Sequence, residues 1–369
     1  MKLWRVNRVD IEGDGPKDGG QGTQGTQGTA QLERSAEIQE AAEVLRQGGL
    51  IAFPTETVYG LGANALQEEA VRRIFAAKGR PGDNPLIVHI ASLQQLTDVT
   101  DHPDRLPEPV QRAMRAFWPG PLTLILPASS KLAPSVHPGL DTVGIRFPSH
   151  PVAQALIRAA GCPVAAPSAN RSGRPSPTTA QDVLEDMADR VDGVIDGGPS
   201  AVGVESTVAL IERDRAVIYR PGGISKEQLE AAIGVPVELD AHLVSGDQAP
   251  KAPGMKYRHY APDAKVYVWW GDADRVAQKM QEFALQCSGE PIAVISPTQV
   301  PDIPGLAASW TPQSHEYPAA LARELYRLLR EFDRLHVAHI LIAGVAPDGI
   351  GLAVMNRLEK AAEGRVERV

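Results

Sequence analysis

Short apolar segments of strand length alternate with amphipathic segments of helix length along most of this chain, which restricts it to the α/β class. The pattern is clearest over 263–369, where a predicted strand at 265–270 precedes a predicted helix at 273–286. Two more strand–helix units follow, so we expect a small, Rossmann-like domain with a parallel sheet. Over 35–234 the alternation is irregular, which favours a twisted, open, mixed sheet with helices.

Two segments interrupt this alternation. Residues 1–34 contain a threefold Gln-Gly-Thr repeat without large apolar side chains, so we expect a flexible extension. Residues 235–262 are rich in Gly and Pro, which predicts a linker. Its basic and aromatic core at 256–260 is unlike an inert spacer, and we expect the linker to act as a lid. The length of 369 residues suits two domains of about 100–200 residues each.

Composition narrows the class of ligand. The net charge of −8 argues against a basic coat for long nucleic acids. Lys and Arg nevertheless cluster in the Gly- and Pro-rich segment 78–85, where backbone N–H groups can approach an anion, and this indicates a small phosphate-bearing ligand. Two distant cysteines and the absence of long apolar stretches predict a cytoplasmic protein outside the membrane. No P-loop, nucleophile elbow or metal-cage spacing is present in the sequence.

Four blocks of small polar and basic residues stand at the ends of predicted strands, where α/β proteins place ligands. They supply the candidate site residues Thr55, Thr57, Lys78, Arg80, Asn84, His89, Thr142, Arg146, Ser168, Asn170, Ser176, Ser206 and Arg220. Each block alone has a simpler explanation. Lys78 and Arg80 suit a solvated helix end, on a loop rather than in a core, and Arg146 suits an ion pair at a sheet rim. The hydroxyl and amide residues suit ordinary turns. Their recurrence in one domain favours a single polar site.

Taken together, the blocks resemble one family. They read Phe-Pro-Thr-Glu-Thr-Val-Tyr-Gly-Leu-Gly from Phe53, Lys-Gly-Arg-Pro-x-x-Asn-Pro-Leu from Lys78, Ala-Pro-Ser-Ala-Asn-x-Ser-Gly from Ala166, and Glu-Ser-Thr-Val from Glu205. This order is similar to the YrdC-like domain of threonylcarbamoyl-AMP synthases. The linker motif Tyr-Arg-His-Tyr-Ala-Pro and the C-terminal domain resemble the longer, two-domain form.

The resemblance implies a reaction in which L-threonine, bicarbonate (or CO2) and ATP, with Mg2+ on its phosphates, give threonylcarbamoyl-AMP and pyrophosphate. It implies a threonine pocket lined by Thr57, His89, Arg146 and Ser206. It implies an ATP site of Lys78, Arg80, Asn84, Thr142, Ser168, Asn170, Ser176 and Arg220, with Lys78 and Arg80 as catalytic residues. A linker tyrosine, Tyr257 or Tyr260, is expected over the nucleotide. The metal would have no ligand from the protein.

The resemblance also implies partners and leaves alternatives. The product would pass transiently to a separate tRNA threonylcarbamoyltransferase, with tRNA binding by this chain possible but not required. One alternative is an RNA-binding module with a basic concave surface, against which the net acidity weighs. Another is carbamoyl transfer, as in hydrogenase-maturation proteins with a similar domain, but their zinc-finger-like cysteines and acylphosphatase-like segment are missing from this sequence.

Overall fold

The computed structural model describes residues 1–6, 24–241, 243, 260–287, 289–313 and 316–369. These residues belong to two compact units. The first comprises Met1–Ser172 and Ser176–Lys256, and the second comprises Gly173–Pro175 and Tyr257–Val369. The predicted combination of a mixed sheet and a smaller parallel sheet is confirmed. Within the described ranges, no helix combines the length and the apolar character needed to cross a membrane.

The first unit is built on one mixed sheet of eleven described strands in the order β1-β8-β2-β3-β7-β4-β6-β5-β9-β10-β11. Its strands are β1 Lys2–Arg5, β2 Ile51–Phe53, β3 Gly60–Asn64, β4 Ile87–His89, β5 Leu122–Pro127, β6 Thr142–Arg146, β7 Val164–Ala165, β8 Gly193–Asp196, β9 Thr207–Ile211, β10 Ala216–Arg220 and β11 Val237–Leu239. Its helices are α1 Gln24–Glu33, α2 Ala36–Arg46, α3 Glu68–Lys78, α4 Leu96–Val99, α5 Glu108–Phe117, α6 Pro151–Ala160, α7 Ala180–Met187 and α8 Lys226–Ile233, with 3-10 turns at Leu93–Gln95, Pro103–Arg105 and Pro134–Val136.

Local sequence explains where these helices begin. Ser35 accepts a hydrogen bond from the Ile38 backbone and caps α2, whose buried face includes Leu45. Thr179 forms a capping box at α7, and Ser225 forms one at α8. The two faces of the sheet bury separate apolar clusters, because successive residues of a strand point to opposite faces.

The second unit has a parallel sheet of five described strands in the order β14-β13-β15-β12-β16. Its strands are β12 Lys265–Trp270, β13 Ile292–Ile295, β14 Leu306–Trp310, β15 His339–Ala343 and β16 Val366–Arg368, and its helices are α9 Ala273–Gln286, α10 Tyr317–Arg334 and α11 Gly349–Ala361. Tyr260 lies in this unit, where it is buried and its ring stacks on Tyr326 at 5.3 Å. Tyr257 falls outside the described residues.

The expectation of a flexible extension over 1–34 is wrong at two places. Lys2–Arg5 forms an edge strand parallel to β8, and Gln24–Glu33 is helical. Trp4 explains the strand, because its ring is buried and its Nε1 donates to Glu40 at 2.8 Å. Gly193 makes room for it, since a Cβ there would lie 2.1 Å from the Trp4 ring.

The linker predicted over 235–262 begins later in the chain than expected, because its first residues still belong to the sheet. Val237–Leu239 pairs in parallel with β10, so the chain leaves the sheet only after this strand. The strand Gly60–Asn64 was also not predicted, since glycine is depleted in strands. There Gly62 allows close packing, because a Cβ would approach Phe53 to 2.8 Å and Val164 to 2.7 Å.

Candidate functional site

A row of polar side chains crosses five neighbouring strands of the first unit. Residues paired across β4, β6, β5, β9 and β10 are, in that order, His89, Arg146, Thr123, Val208 and Arg220. Directly paired residues of adjacent strands lie side by side, so strand register alone brings these distant sequence positions into line. Four of the five are polar, all four are buried, and three belong to the predicted site.

Arg146 makes most of the side-chain contacts described at one end of this row. Its Nη1 donates to Thr57 Oγ1 at 2.8 Å, and that hydroxyl lies 2.9 Å from Thr55 Oγ1. Its Nη2 lies 2.7 Å from Glu56 Oε1. Arg146 is only 4% exposed, so its ion pair is buried rather than located at a sheet rim. A guanidinium group held this far from water needs an anionic partner, from the protein or from a ligand.

His89 stands next to Arg146 in the paired strand. Burial, reinforced by the nearby positive charge of Arg146, lowers the pKa of His89 to about 3. The imidazole is therefore neutral at physiological pH and can accept a hydrogen bond at one ring nitrogen. Its Nδ1 is buried and has no hydrogen-bond partner among the described residues. Phe53 packs edge-on against the ring, with centroids 6.2 Å apart.

Ser206 connects the other end of the row. Its hydroxyl lies 2.8 Å from Thr123 Oγ1 and accepts from Arg220 Nη2 at 3.1 Å. The same nitrogen donates to the Ser206 carbonyl at 3.0 Å. Gly222 permits the close approach of these two segments, because a Cβ there would meet the backbone of Ser206 at 2.4 Å. Thr123 thus joins the Arg146 strand to the Ser206–Arg220 pair.

Lys78 is the last residue of α3, and it is buried. Its Nζ donates at 2.5 Å to the carbonyl oxygens of Ser168 and Asn170. Ser168 Oγ in turn donates to Asn170 Oδ1 at 2.5 Å. The expected position of Lys78 on an exposed loop is therefore wrong, since its stem is buried and its ammonium group is held by the loop after β7.

Arg80 does follow the helix on a loop, where its guanidinium group donates to the carbonyl of Pro85 at 3.1 Å. Gly79 makes the turn in the left-handed conformation with a φ of 60°. Asn84 is 1% exposed, and its Oδ1 has no hydrogen-bond partner among the described residues. Ser176 donates to the buried carboxylate of Glu205 at 2.6 Å. Thr142 begins the strand that Arg146 ends.

Backbone hydrogen bonds connect these groups of residues around the segment Thr55–Leu61. Its Leu61 N–H donates to the carbonyl of Pro167, and its Tyr59 N–H donates to that of Pro177. Ala169 N–H donates back to the Tyr59 carbonyl. The loop that carries Ser168 is therefore fixed next to the segment that carries Thr57.

Three buried polar residues of this region were missed by sequence reasoning: Glu56, Thr123 and Glu205. Glu56 was quoted only as part of a motif, between two threonines that drew attention to their hydroxyl groups. A threonine alternating with leucines in a buried strand is a signal that would have identified Thr123. The carboxylate of Glu205 is recognisable only from its hydrogen bond to Ser176.

Comparisons with known proteins match most of this chain. A family model described as Telomere recombination matches residues 43–222, and one described as Threonylcarbamoyl-AMP synthase, C-terminal domain, matches residues 224–363. The chain is 47% identical to the threonylcarbamoyl-AMP synthase of Bacillus subtilis, over 90% of this chain and 94% of that protein. A shorter threonylcarbamoyl-AMP synthase from Vibrio cholerae is 37% identical over 45% of this chain and 90% of its own length.

The structure gives the same result as the sequence. The crystal structure of Pyrococcus abyssi Sua5 complexed with L-threonine is similar with a TM-score of 0.83 and 45% identity, over 90% of this chain and 96% of that chain. The resemblance found in the four sequence blocks is thereby confirmed. The chain belongs to the threonylcarbamoyl-AMP synthase family.

Proposed function

We propose that this chain is a nucleotidyltransferase that forms L-threonylcarbamoyl-AMP and pyrophosphate from L-threonine, bicarbonate (or CO2) and ATP. Family membership supports this proposal. The structural observation that carries it is the polar row from His89 to Arg220, because it aligns two buried guanidinium groups, those of Arg146 and Arg220, along one line across the same sheet. Such groups suit a carboxylate at one end of the row and a phosphate at the other.

The threonine is assigned to the Arg146 end of the row. Arg146 would bind the carboxylate, and Thr57, which already accepts from Arg146, would line the same pocket with Ser206. Neutral His89 has a ring nitrogen without a hydrogen bond, so it can accept from the threonine hydroxyl. A site that hydrogen-bonds a hydroxyl discriminates strongly against analogues without one.

The nucleotide is assigned to the Arg220 end and to the two loops nearby. The proposed ATP contacts are Lys78, Arg80, Asn84, Thr142, Ser168, Asn170, Ser176 and Arg220, with Tyr257 or Tyr260 from the linker. Mg2+ would be held mainly by phosphate and water and would neutralise phosphate charge. The oxygens of this region fit that arrangement, because the Ser168 and Asn170 carbonyls already accept from the Lys78 ammonium group and Glu205 accepts from Ser176.

The chemistry needs no nucleophile from the protein. The threonine amine is carboxylated to a carbamate, whose oxygen attacks the α-phosphorus of ATP while pyrophosphate leaves. The protein would contribute positioning, and Lys78, Arg80 and Arg220 would stabilise the charge that develops on the phosphates. Lid closure by the linker would exclude water from the labile carbamate.

A pyrophosphate-release assay with ATP, bicarbonate and each amino acid in turn tests the proposal. Release that requires both L-threonine and bicarbonate is the expected result, and release without them would overturn it. We further propose that the chain acts in the cytoplasm and hands its product to a tRNA threonylcarbamoyltransferase for N6-threonylcarbamoyladenosine formation, without needing to bind tRNA itself. Strong, salt-sensitive tRNA binding without threonine-dependent turnover would favour the RNA-binding alternative instead.

A further inference from the structure

The carboxylate of Glu56 has no assigned task in the proposed site, although it is buried beside Arg146. Glu56 is 8% exposed, and its Oε1 lies 2.7 Å from Arg146 Nη2. Even so, both carboxylate oxygens and Arg146 Nη2 are without a well-formed hydrogen bond to any described residue. Two buried charges that are close but poorly hydrogen-bonded recover little of their desolvation cost. This arrangement is unusual for a purely structural ion pair.

The two histidines near this ion pair are neutral, so Arg146 is the charged neighbour of Glu56. Burial lowers the pKa of the nearby His150 to about 4, despite the opposing effect of the Glu56 charge. His89, on the other side of Arg146, is neutral for the same reason. With both imidazoles neutral, the Glu56 carboxylate and the Arg146 guanidinium group face each other as an ion pair at 2.7 Å.

An α-amino acid carries the complementary pair of charges. Its carboxylate and its ammonium group are attached to the same carbon atom, so a site that buries the whole molecule must offer a cation and an anion close together. The side chains of Arg146 and Glu56 meet this requirement, since both are buried and their charged atoms are adjacent.

We propose that Glu56 binds the α-ammonium group of the amino-acid substrate and so selects for an amine next to the carboxylate. On binding, Arg146 exchanges the Glu56 carboxylate for the substrate carboxylate, and Glu56 takes the ammonium group in return. This inference rests on the proposed assignment of threonine to Arg146. Glu56 would join Thr57, His89, Arg146 and Ser206 in that pocket as a residue that determines specificity.

Equilibrium binding of two ligands to the full chain tests the proposal. One is L-threonine, and the other is 3-hydroxybutyrate, which has the same carboxylate, hydroxyl and methyl groups but no α-amine. Wild-type protein should bind threonine at least about 30-fold more tightly, the factor that a charge-assisted hydrogen bond supplies. Equal binding of the two ligands by the wild-type protein would overturn the proposal without any variant.

The variant Glu56→Gln should weaken the binding of threonine without weakening that of 3-hydroxybutyrate. Threonine should bind about 10- to 100-fold more weakly, because its ammonium group loses its anionic partner. The amine-free analogue should bind as well as before or more tightly, because Arg146 is no longer neutralised in the free protein. A merely structural Glu56 would instead give equal losses for both ligands, and that outcome would overturn the proposal.

A matched control is Glu212→Gln, which removes an exposed carboxylate that pairs with Arg215 at 2.6 Å in the same unit. It should leave both affinities unchanged. ATP binding by each variant reports on the fold of the site. If wild-type protein binds ATP but neither ligand, the assignment of threonine to this pocket fails, and the role of Glu56 fails with it. Threonine binding with equal losses in Glu56→Gln refutes the role of Glu56 alone.

Discussion

The environment of a single residue in this site depends on its burial, which its chemical type alone does not predict. Lys78 shows this most clearly, because a lysine followed by glycine after a helix usually indicates a solvated end. Here the ammonium group donates to two backbone carbonyls of the loop that carries Ser168. The residue type was predictable from sequence, whereas the burial was not, since it depends on a loop 90 positions away along the chain.

Replacing Lys78 with methionine should abolish most activity while keeping the side-chain volume. We expect adenylate formation to fall by about 100- to 1,000-fold, the usual cost of losing a group that stabilises transition-state charge. The same change leaves two carbonyls without their donor, so the free energy of unfolding should fall by about 1–3 kcal/mol. Pyrophosphate release and chemical denaturation measure the two effects. Exposed Arg72→Met is the control, and wild-type turnover in Lys78→Met would contradict the assignment.

His89 should make stability depend on pH in a defined direction. Its pKa is about 3 in the folded protein, below the ordinary value of 6.5. Between these values the unfolded chain binds a proton that the native protein does not, so the free energy of unfolding falls as pH falls. Compared with His89→Gln, which cannot titrate, the wild type should lose on the order of 1 kcal/mol more per pH unit between pH 6 and pH 4. Parallel stability curves from denaturation would refute this.

Secondary-structure elements were predictable where their patterns were long and regular. The strand Lys265–Trp270 and the helix Ala273–Gln286 have their predicted bounds. Short strands were missed where pairing depends on distant residues. Lys2–Arg5 is too short to show a period, and it is stabilised by the space that Gly193 provides for Trp4. No local pattern in the sequence indicates that Trp4 packs against Gly193.

A double-mutant cycle tests whether this edge strand is held by Trp4. Trp4→Ala should lower the free energy of unfolding by about 3 kcal/mol, since it removes a buried aromatic side chain. Gly193→Ala should also destabilise the protein, because the added Cβ would overlap the Trp4 ring. In the Trp4→Ala background, however, Gly193→Ala should cost less than about 1 kcal/mol. Strict additivity in urea denaturation would show that the ring and the glycine do not interact.

At the scale of the whole molecule, the sequence predicted most residues of the candidate site but not all of the contacts between them. Arg146 and Arg220 were selected because each ends a strand, and the register of the sheet then placed them in one row. Thr123 and Glu56 complete that row and its ion pair. The alternation of Thr123 with leucines indicates a buried polar residue, whereas no local pattern distinguishes Glu56 from a turn residue. Strand order, which determines these neighbours, is a property of long-range pairing.

The last prediction separates folding of the first unit from activity. The Vibrio cholerae relative matches 45% of this chain over 90% of its own length, so we expect a chain ending after Asp240 to fold alone. A chain ending after Gly234 should be less stable, because it lacks the strand Val237–Leu239 that pairs with β10. If the linker is the lid, the Asp240 truncation should lose at least about tenfold in threonine-dependent pyrophosphate release while its circular dichroism and melting remain cooperative. Full activity in that folded truncation would show that the linker does not close the site.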